Sequence, residues 1–211
     1  MIPKAPRAED EGLQVAGVDE VGRGALYGPV VAAAVILSPE AAEYLVQAGV
    51  KDSKQLRAKQ REFLYEMIQS QAVAYGIGMA SVREIDRINI LQASLLAMRR
   101  AIARLSVHPD LCLIDGNRPI PALGIEQRTV IKGDQSEPAI AAASILAKVW
   151  RDRLIVRLDR RHPGYGLAAN KGYGSSVHRV ALAQLGPTPQ HRLSFAPCCQ
   201  VQLSLVLSSS D

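Results

Sequence analysis

The apolar positions along this chain fall into short dense runs separated by longer stretches of helical period. Val15 to Val18 and Val30 to Leu37 are rich in valine and small apolar residues and bounded by glycine, the pattern of strands buried on both faces. The link between them is short enough for a hairpin. After Asp52, Ser53 is a candidate N-cap for a helix whose apolar positions Leu56, Phe63, Leu64, Met67 and Ile68 follow a helical period. Ala72 to Ala80 reads as a third strand. Ser81 with Glu84 fits a capping box, and Leu91, Leu95, Met98, Ile102 and Leu105 recur in steps of 4, 3, 4 and 3, which predicts an amphipathic helix.

Two further runs end on aspartates. Leu111 to Ile114 stops at Asp115-Gly116-Asn117, and Gln127 to Ile131 stops at Lys132-Gly133-Asp134. A long helix is predicted to follow, with Pro138 in its first turn and Ile140, Ala143, Ala147, Trp150 and Leu154 on one face. Beyond His162, glycine, proline and polar residues dominate, with a short helix expected around Ser176 to Leu185. No internal repeat and no separating linker occurs. Strands interleaved with helices predict an α/β fold with a mixed five-stranded sheet flanked by helices and a small helical C-terminal extension. The expected organisation is one domain over residues 15–198, a flexible segment 1–14 and a frayed tail 199–211.

Composition narrows the classes. An apolar fraction of 48% and a charged fraction of 21% over 211 residues argue against disorder, a coiled coil or a disulfide scaffold. The net charge of +5 is compatible with nucleic acid without demanding it. Cys112, Cys198 and Cys199 match neither a disulfide framework nor a zinc-binding spacing, so a reducing compartment is expected. Met1 to Gln14 lacks the apolar core of a secretory signal, and Ala25 to Leu37 is too short for a membrane span of about 20 residues. A cytoplasmic monomer is the expectation.

Three strands therefore end in acids: Asp19 with Glu20, Asp115, and Asp134. A single aspartate at a strand end is most often a solvated loop residue, but three such ends in one sheet would gather four carboxylates at one edge, where ligands of open α/β sheets commonly bind. So many like charges are unfavourable together unless cations lie between them. Carboxylate oxygens suit Mg²⁺ and Mn²⁺, and a pair of such ions about 4 Å apart serves phosphodiester cleavage. In a regular strand Asp19 and Glu20 would point to opposite faces, so their joint use predicts a strand break, supplied by Gly22 and Gly24.

The ordered set Ala16-Gly17-Val18-Asp19-Glu20-Val21-Gly22-Arg23-Gly24, Asp52-Ser53-Lys54, Leu113-Ile114-Asp115-Gly116-Asn117, Val130-Ile131-Lys132-Gly133-Asp134, Ala142 to Val149, Lys171-Gly172-Tyr173-Gly174 and His191-Arg192-Leu193-Ser194-Phe195 resembles ribonuclease HII, the type 2 ribonuclease H of bacteria. The resemblance implies an RNase H-like fold. It implies hydrolysis of the RNA strand of RNA–DNA hybrids, leaving 5′-phosphate and 3′-hydroxyl ends, and cutting at ribonucleotides embedded in duplex DNA. It assigns the metal-binding acids to Asp19, Glu20, Asp115 and Asp134, with Mn²⁺ or Mg²⁺ as cofactor. Gly22, Arg23 and Gly24 match the element that reads the ribonucleotide's 2′-hydroxyl, and Tyr173 matches the tyrosine that packs on the sugar at the RNA-to-DNA step. Lys54, Ser144 and Lys148 are candidates for phosphate contacts, Ser144 and Lys148 lying one helical turn apart. Asn170 departs from the family pattern, in which histidine is frequent. The related ribonuclease HIII usually lacks the arginine of Gly-Arg-Gly, and Arg23 is present here.

Other chemistries fail on spacing. Tyr27 holds the place of the third glycine of a dinucleotide-binding G-x-G-x-x-G, and no Walker A sequence or G-x-S-x-G elbow occurs. A nucleic-acid binder that had lost its chemistry would not need the four acids.

Overall fold

A computed structural model of the chain describes residues 12–51, 53 and 56–200. Residues 1–11 of the expected flexible N-terminal segment, Lys54 and nearly all of the expected frayed tail lie outside the described residues. The described chain forms two compact units that share the sequence alternately: one comprises residues up to 21, 31–79 and 94–149, the other residues 22–30, 80–93 and 150 onward.

The first unit is built on a five-stranded mixed sheet of order β3-β2-β1-β4-β5. Strand β1 (Val15–Val21) pairs antiparallel with β2 (Val30–Ile36), and parallel with β4 (Leu111–Asp115), which in turn pairs parallel with β5 (Glu126–Val130). Strand β3 (Ala74–Ala80) forms the other edge. Every residue of β2 is buried, which explains its unbroken run of valine and alanine. Helix α1 (Pro39–Gln47), unforeseen in the sequence, is capped by the Ser38 hydroxyl, which accepts from the Ala41 amide, with Pro39 in its first turn.

Helix α2 (Ala58–Gln71) starts later than the sequence suggested. Arg57 rather than Ser53 is its N-cap, and Leu64, Tyr65 and Ile68 are its buried positions, whereas Phe63 is exposed. Helix α3 (Val82–Ile102) does begin at the expected capping box, with the Ser81 amide and hydroxyl donating to Glu84, but it is broken at Asn89, whose φ is 65°. The Asn89 carboxamide accepts from the Gln92 amide and so restarts the helix. Beyond the break Leu95, Met98 and Ile102 are buried as the spacing predicted, and Arg100 and Arg104 donate to the carbonyls of Met79 and Ile77 on β3.

Helix α4 (Pro138–Asp159) begins at the expected proline. Its first turns lie so close to β1 that Gly17 has no room for a side chain: a Cβ there would fall on the Ala139 carbonyl carbon and the Ile140 amide nitrogen. Ile140 packs with Leu111 and Leu113 of β4 in the same layer. Further along, Arg151 and Ile155 are the fully buried positions, while Trp150 and Leu154, expected on the buried face, are only half-buried.

The second unit has its own apolar core, made by Leu26, Tyr27, Ile155, Tyr165, Leu167, Ala181, Leu182 and Cys198. Its short helices are α5 (Leu167–Asn170) and α6 (Ser176–Leu185); α6 is capped by the Ser175 hydroxyl, close to where the sequence placed it. Among the described residues no helix is long and apolar enough to cross a membrane.

Candidate active site

Because β1, β4 and β5 run parallel, their C-terminal ends lie along one edge of the sheet. Val18 pairs with Ile114, so Asp19 and Asp115 follow at the next position on adjacent strands. The Asp115 carboxylate accepts from the Gly133 amide at 2.8 Å. That bond ties Asp115 to the single 3-10 turn Gly133–Gln135, which carries the buried Asp134. Asp134 is therefore on a turn after β5 rather than at the strand end itself, and the chain reaches it through a left-handed Lys132 with φ of 58°.

Asp19 is buried, and its carboxylate accepts from the Glu20 amide at 2.7 Å. Burial, with the charges of Glu20 and then Asp115 adding to it, raises its pKa well above the ordinary value. Hydrogen bonds from Ser144 and from the Glu20 amide oppose that rise. A cation would offset this crowding of negative charge, and the oxygens on offer are hard carboxylate oxygens. Among the described residues no three carboxylate, imidazole or thiol side chains converge into a closed cage for one ion. An ion held by one or two carboxylates and completed by water and substrate phosphate needs no such cage.

The break expected from Gly22 and Gly24 comes at Gly22, after both acids rather than beside them. The antiparallel register continues through Glu20↔Ala32 to Val21↔Val31, so the two side chains leave the strand on alternate sides, and the chain turns only at Gly22, with φ of 90°. β2 stays paired with β1 through Val21, whereas the register with β4 ends at Val18, and the pairing with β2 prevails over the demand for a shared face.

Ser144 lies on α4, almost fully buried, with its hydroxyl 2.9 Å from that of Ser53 and bonded to Asp19. Lys148, one turn on, is half-buried. Replacing Ser144 with alanine removes one of the bonds that keep Asp19 ionised and leaves the Ser53 hydroxyl short of a partner. The expected result is a loss of about 1–2 kcal/mol in thermal stability and about tenfold in cleavage rate, measured by calorimetry and by a hybrid-cleavage assay. An unchanged melting temperature would contradict this placement.

In the second unit, the segment Gly22 to Pro29 is held through its backbone groups, by other backbone segments and by arginine side chains. Ala25 bridges Tyr173, and the amides of Leu26 and Tyr27 donate to the Gly172 carbonyl at 2.8 and 3.2 Å. Gly22 is buried and left-handed, with the Arg151 guanidinium in the space a Cβ would take, while Arg23 and Gly24 are exposed. Two fully buried arginines that the sequence reading did not single out complete the frame. Arg151 donates to the carbonyls of Pro29, Tyr27 and Lys171, and Arg192 to those of Gly28 and Arg23. Burial and the neighbouring Arg151 charge pull Arg192 down to about 9, which leaves it cationic at neutral pH. The half-buried Tyr173 ring lies 5.5 Å from the Arg151 guanidinium. One signal was available in the sequence: Arg151 stands four residues after Ala147, on the apolar face of the predicted helix.

The sequence matches the family described as Ribonuclease HII over residues 16–198. The chain belongs to the ribonuclease HII family. A ribonuclease HII of Acaryochloris marina is 67% identical over 190 residues, 90% of this chain and 96% of that protein. The ribonuclease H2 of Pyrococcus horikoshii superposes with a TM-score of 0.77 at 28% identity, covering 92% of this chain and 99% of that one. Bst-RNase HIII, solved in complex with Mn²⁺, superposes at 0.75 with 22% identity, over 94% of this chain and 71% of that chain, a likeness of fold alone. The expected RNase H-like fold is thus the fold observed. As a ribonuclease HII the protein is an endonuclease acting on RNA–DNA hybrids.

Proposed function

We propose that this ribonuclease HII also cuts on the 5′ side of single ribonucleotides embedded in duplex DNA, using divalent ions held by Asp19, Glu20, Asp115 and Asp134. The observation that carries this reading is the strained carboxylate cluster around Asp19, reached in the chain only two residues before Gly22-Arg23-Gly24. When bound, Mg²⁺ or Mn²⁺ supplies positive charge that offsets the negative charge gathering on the phosphate and favours ionisation of the attacking water. The carboxylates serve as ligands and not as nucleophiles. Ser144 keeps Asp19 oriented and ionised, and Lys148 and Lys54 take the flanking phosphates.

Water adds to the phosphorus of the ribonucleotide's 5′-phosphate as the bond to the preceding O3′ breaks. The water proton is lost to solvent and O3′ gains one, giving a 5′-phosphate on the ribonucleotide and a 3′-hydroxyl on the preceding nucleotide. Gly22, Arg23 and Gly24 offer backbone donors and acceptors to the 2′-hydroxyl, which is both donor and acceptor and is absent from DNA. Tyr173 presents its ring to the sugar of the following deoxynucleotide.

A labelled duplex containing one ribonucleotide, an all-DNA duplex and a uniform hybrid, each incubated with Mg²⁺ or Mn²⁺ and then with chelator, test the proposal. The expected product ends in a polymerase-extendable 3′-hydroxyl one step before the ribonucleotide, and chelator removes all cutting. Undiminished activity in chelator, or cleavage of the hybrid with the single-ribonucleotide duplex left intact, would refute it.

A further inference from the structure

Two of the four histidines, His178 on α6 and His191, are fully buried in the second unit and take no part in the chemistry proposed above. Their hydrogen bonds form a directional chain. The Thr188 amide donates to His191 Nδ1 at 2.9 Å, so that nitrogen is unprotonated and His191 carries its proton on Nε2. His191 Nε2 lies 3.1 Å from His178 Nε2, which must therefore accept. His178 then carries its proton on Nδ1, which faces the Tyr173 carbonyl at 2.9 Å. His191 Nδ1 also faces the Thr188 hydroxyl at 3.0 Å, and with the Thr188 amide donating to it the chain has one arrangement, with both rings neutral.

The surroundings keep the rings neutral and fixed. His191 packs edge-on against Tyr27 at 5.0 Å between ring centroids and tilted against Tyr165 at 4.8 Å, and His162 is bound to the Tyr27 hydroxyl. Burial, with His178 and His162 adding to it, pushes His191 down to about 4. The chain joins two segments that each pair with residues 25–28: the 170–173 loop through Gly172, and residues 190–192 through Gln190 and Arg192. It is the side-chain link between those two segments at Tyr173.

We infer that His178 and His191 are positioning residues that fix the Tyr173 loop, and through it the preference for a ribonucleotide followed by DNA. This rests on the role proposed for Tyr173. A fixed carbonyl sets the backbone at Tyr173, and a backbone that wanders would carry the ring away from the sugar.

The two rings use opposite nitrogens, so conservative replacements should behave in opposite ways. Glutamine places its amide where Nε2 of histidine lies, and asparagine where Nδ1 lies. At position 191 the glutamine variant keeps the donor to His178 and the asparagine variant loses it. At position 178 the asparagine variant keeps the donor to Tyr173 and the glutamine variant loses it. The readout is the ratio of kcat/KM on a single-ribonucleotide duplex to that on a uniform hybrid, with KM and kcat resolved. His191→Asn and His178→Gln are expected to lower the ratio about tenfold, chiefly through KM, while His191→Gln stays near the wild type and His178→Asn, which keeps the donor to Tyr173 but loses the acceptor for His191, falls less than His178→Gln. A merely structural role would not reverse between the positions. Long-range proton–nitrogen NMR of the unaltered protein should find His178 protonated on Nδ1 and His191 on Nε2.

Tyr173→Ala separates the two claims. If it leaves the ratio unchanged, the role given to Tyr173 fails and the inference falls with it. If it lowers the ratio but the histidine variants do not reverse as stated, the inference alone is overturned. Where a variant fails to fold, the NMR result decides, and opposite or averaged tautomers overturn the inference.

Discussion

Asp115→Asn and Asp19→Asn are each expected to reduce cleavage of an RNA–DNA hybrid by roughly 10³-fold or more, the effect of losing several kcal/mol of charge stabilisation at the phosphate. Asp19→Asn carries a second and opposite consequence for stability. The Asp19 pKa in the folded protein lies above its ordinary value of 3.8, so between those two values the folded state holds a proton that the unfolded state has lost. Its contribution to stability is therefore favourable at low pH and declines as pH rises through that window. At neutral pH the carboxyl therefore destabilises the metal-free fold, and the isosteric asparagine relieves it. In chelator, the variant should melt above the wild type at pH 7 and lose that advantage below about pH 4. Added Mg²⁺ should raise the melting temperature of the wild type and narrow the gap. A variant that cuts normally, or that melts below the wild type at pH 7 in chelator, would contradict the reading of this cluster.

Gly17→Ala should be the most damaging small substitution in the sheet. The added methyl would meet backbone atoms of Ala139 and Ile140, not a side chain that can swing away, so β1 and α4 must separate. A destabilisation of about 3 kcal/mol or more is expected, which lowers the melting temperature of a chain of this size by roughly 10 °C. Because α4 also carries Ser144, cleavage should fall in the surviving folded fraction as well. Calorimetry checks the first effect and a rate normalised to folded protein the second. A melting temperature within about 2 °C of the wild type would show that β1 and α4 can part freely.

Much of the fold was legible because its signals are local. Alternation of dense apolar runs with helical spacing revealed the five strands, and Ser81 with Glu84 marked a helix start that the structure contains. Pro138 likewise marked the start of α4. The failures were equally physical. Ser53 has the chemistry of an N-cap, but its hydroxyl is engaged by Ser144, 91 residues away, so the helix starts beyond it at Arg57. Asn89 breaks a helix whose hydrophobic period runs on undisturbed, because its carboxamide caps the next turn. Phe63 satisfies the helical spacing and is nevertheless exposed, since periodicity identifies a stripe but not which edge of it meets a neighbour.

By itself the sequence determined which acids could matter, because Asp19, Glu20, Asp115 and Asp134 each close or follow an apolar run, and it fixed the Gly22-Arg23-Gly24 turn, because only glycine takes the backbone angles found at Gly22 without strain. The tertiary structure decided what those residues experience. Parallel pairing of β1 with β4 sets Asp19 beside Asp115, and the bond from Gly133 to Asp115 anchors the turn that carries Asp134. It also decided that Arg151, Arg192, His178 and His191 are buried and which groups they bond, of which spacing along the chain hinted only at the burial of Arg151. Local geometry follows from each residue's neighbours in sequence, whereas burial and charge at a site depend on which segments the sheet brings side by side.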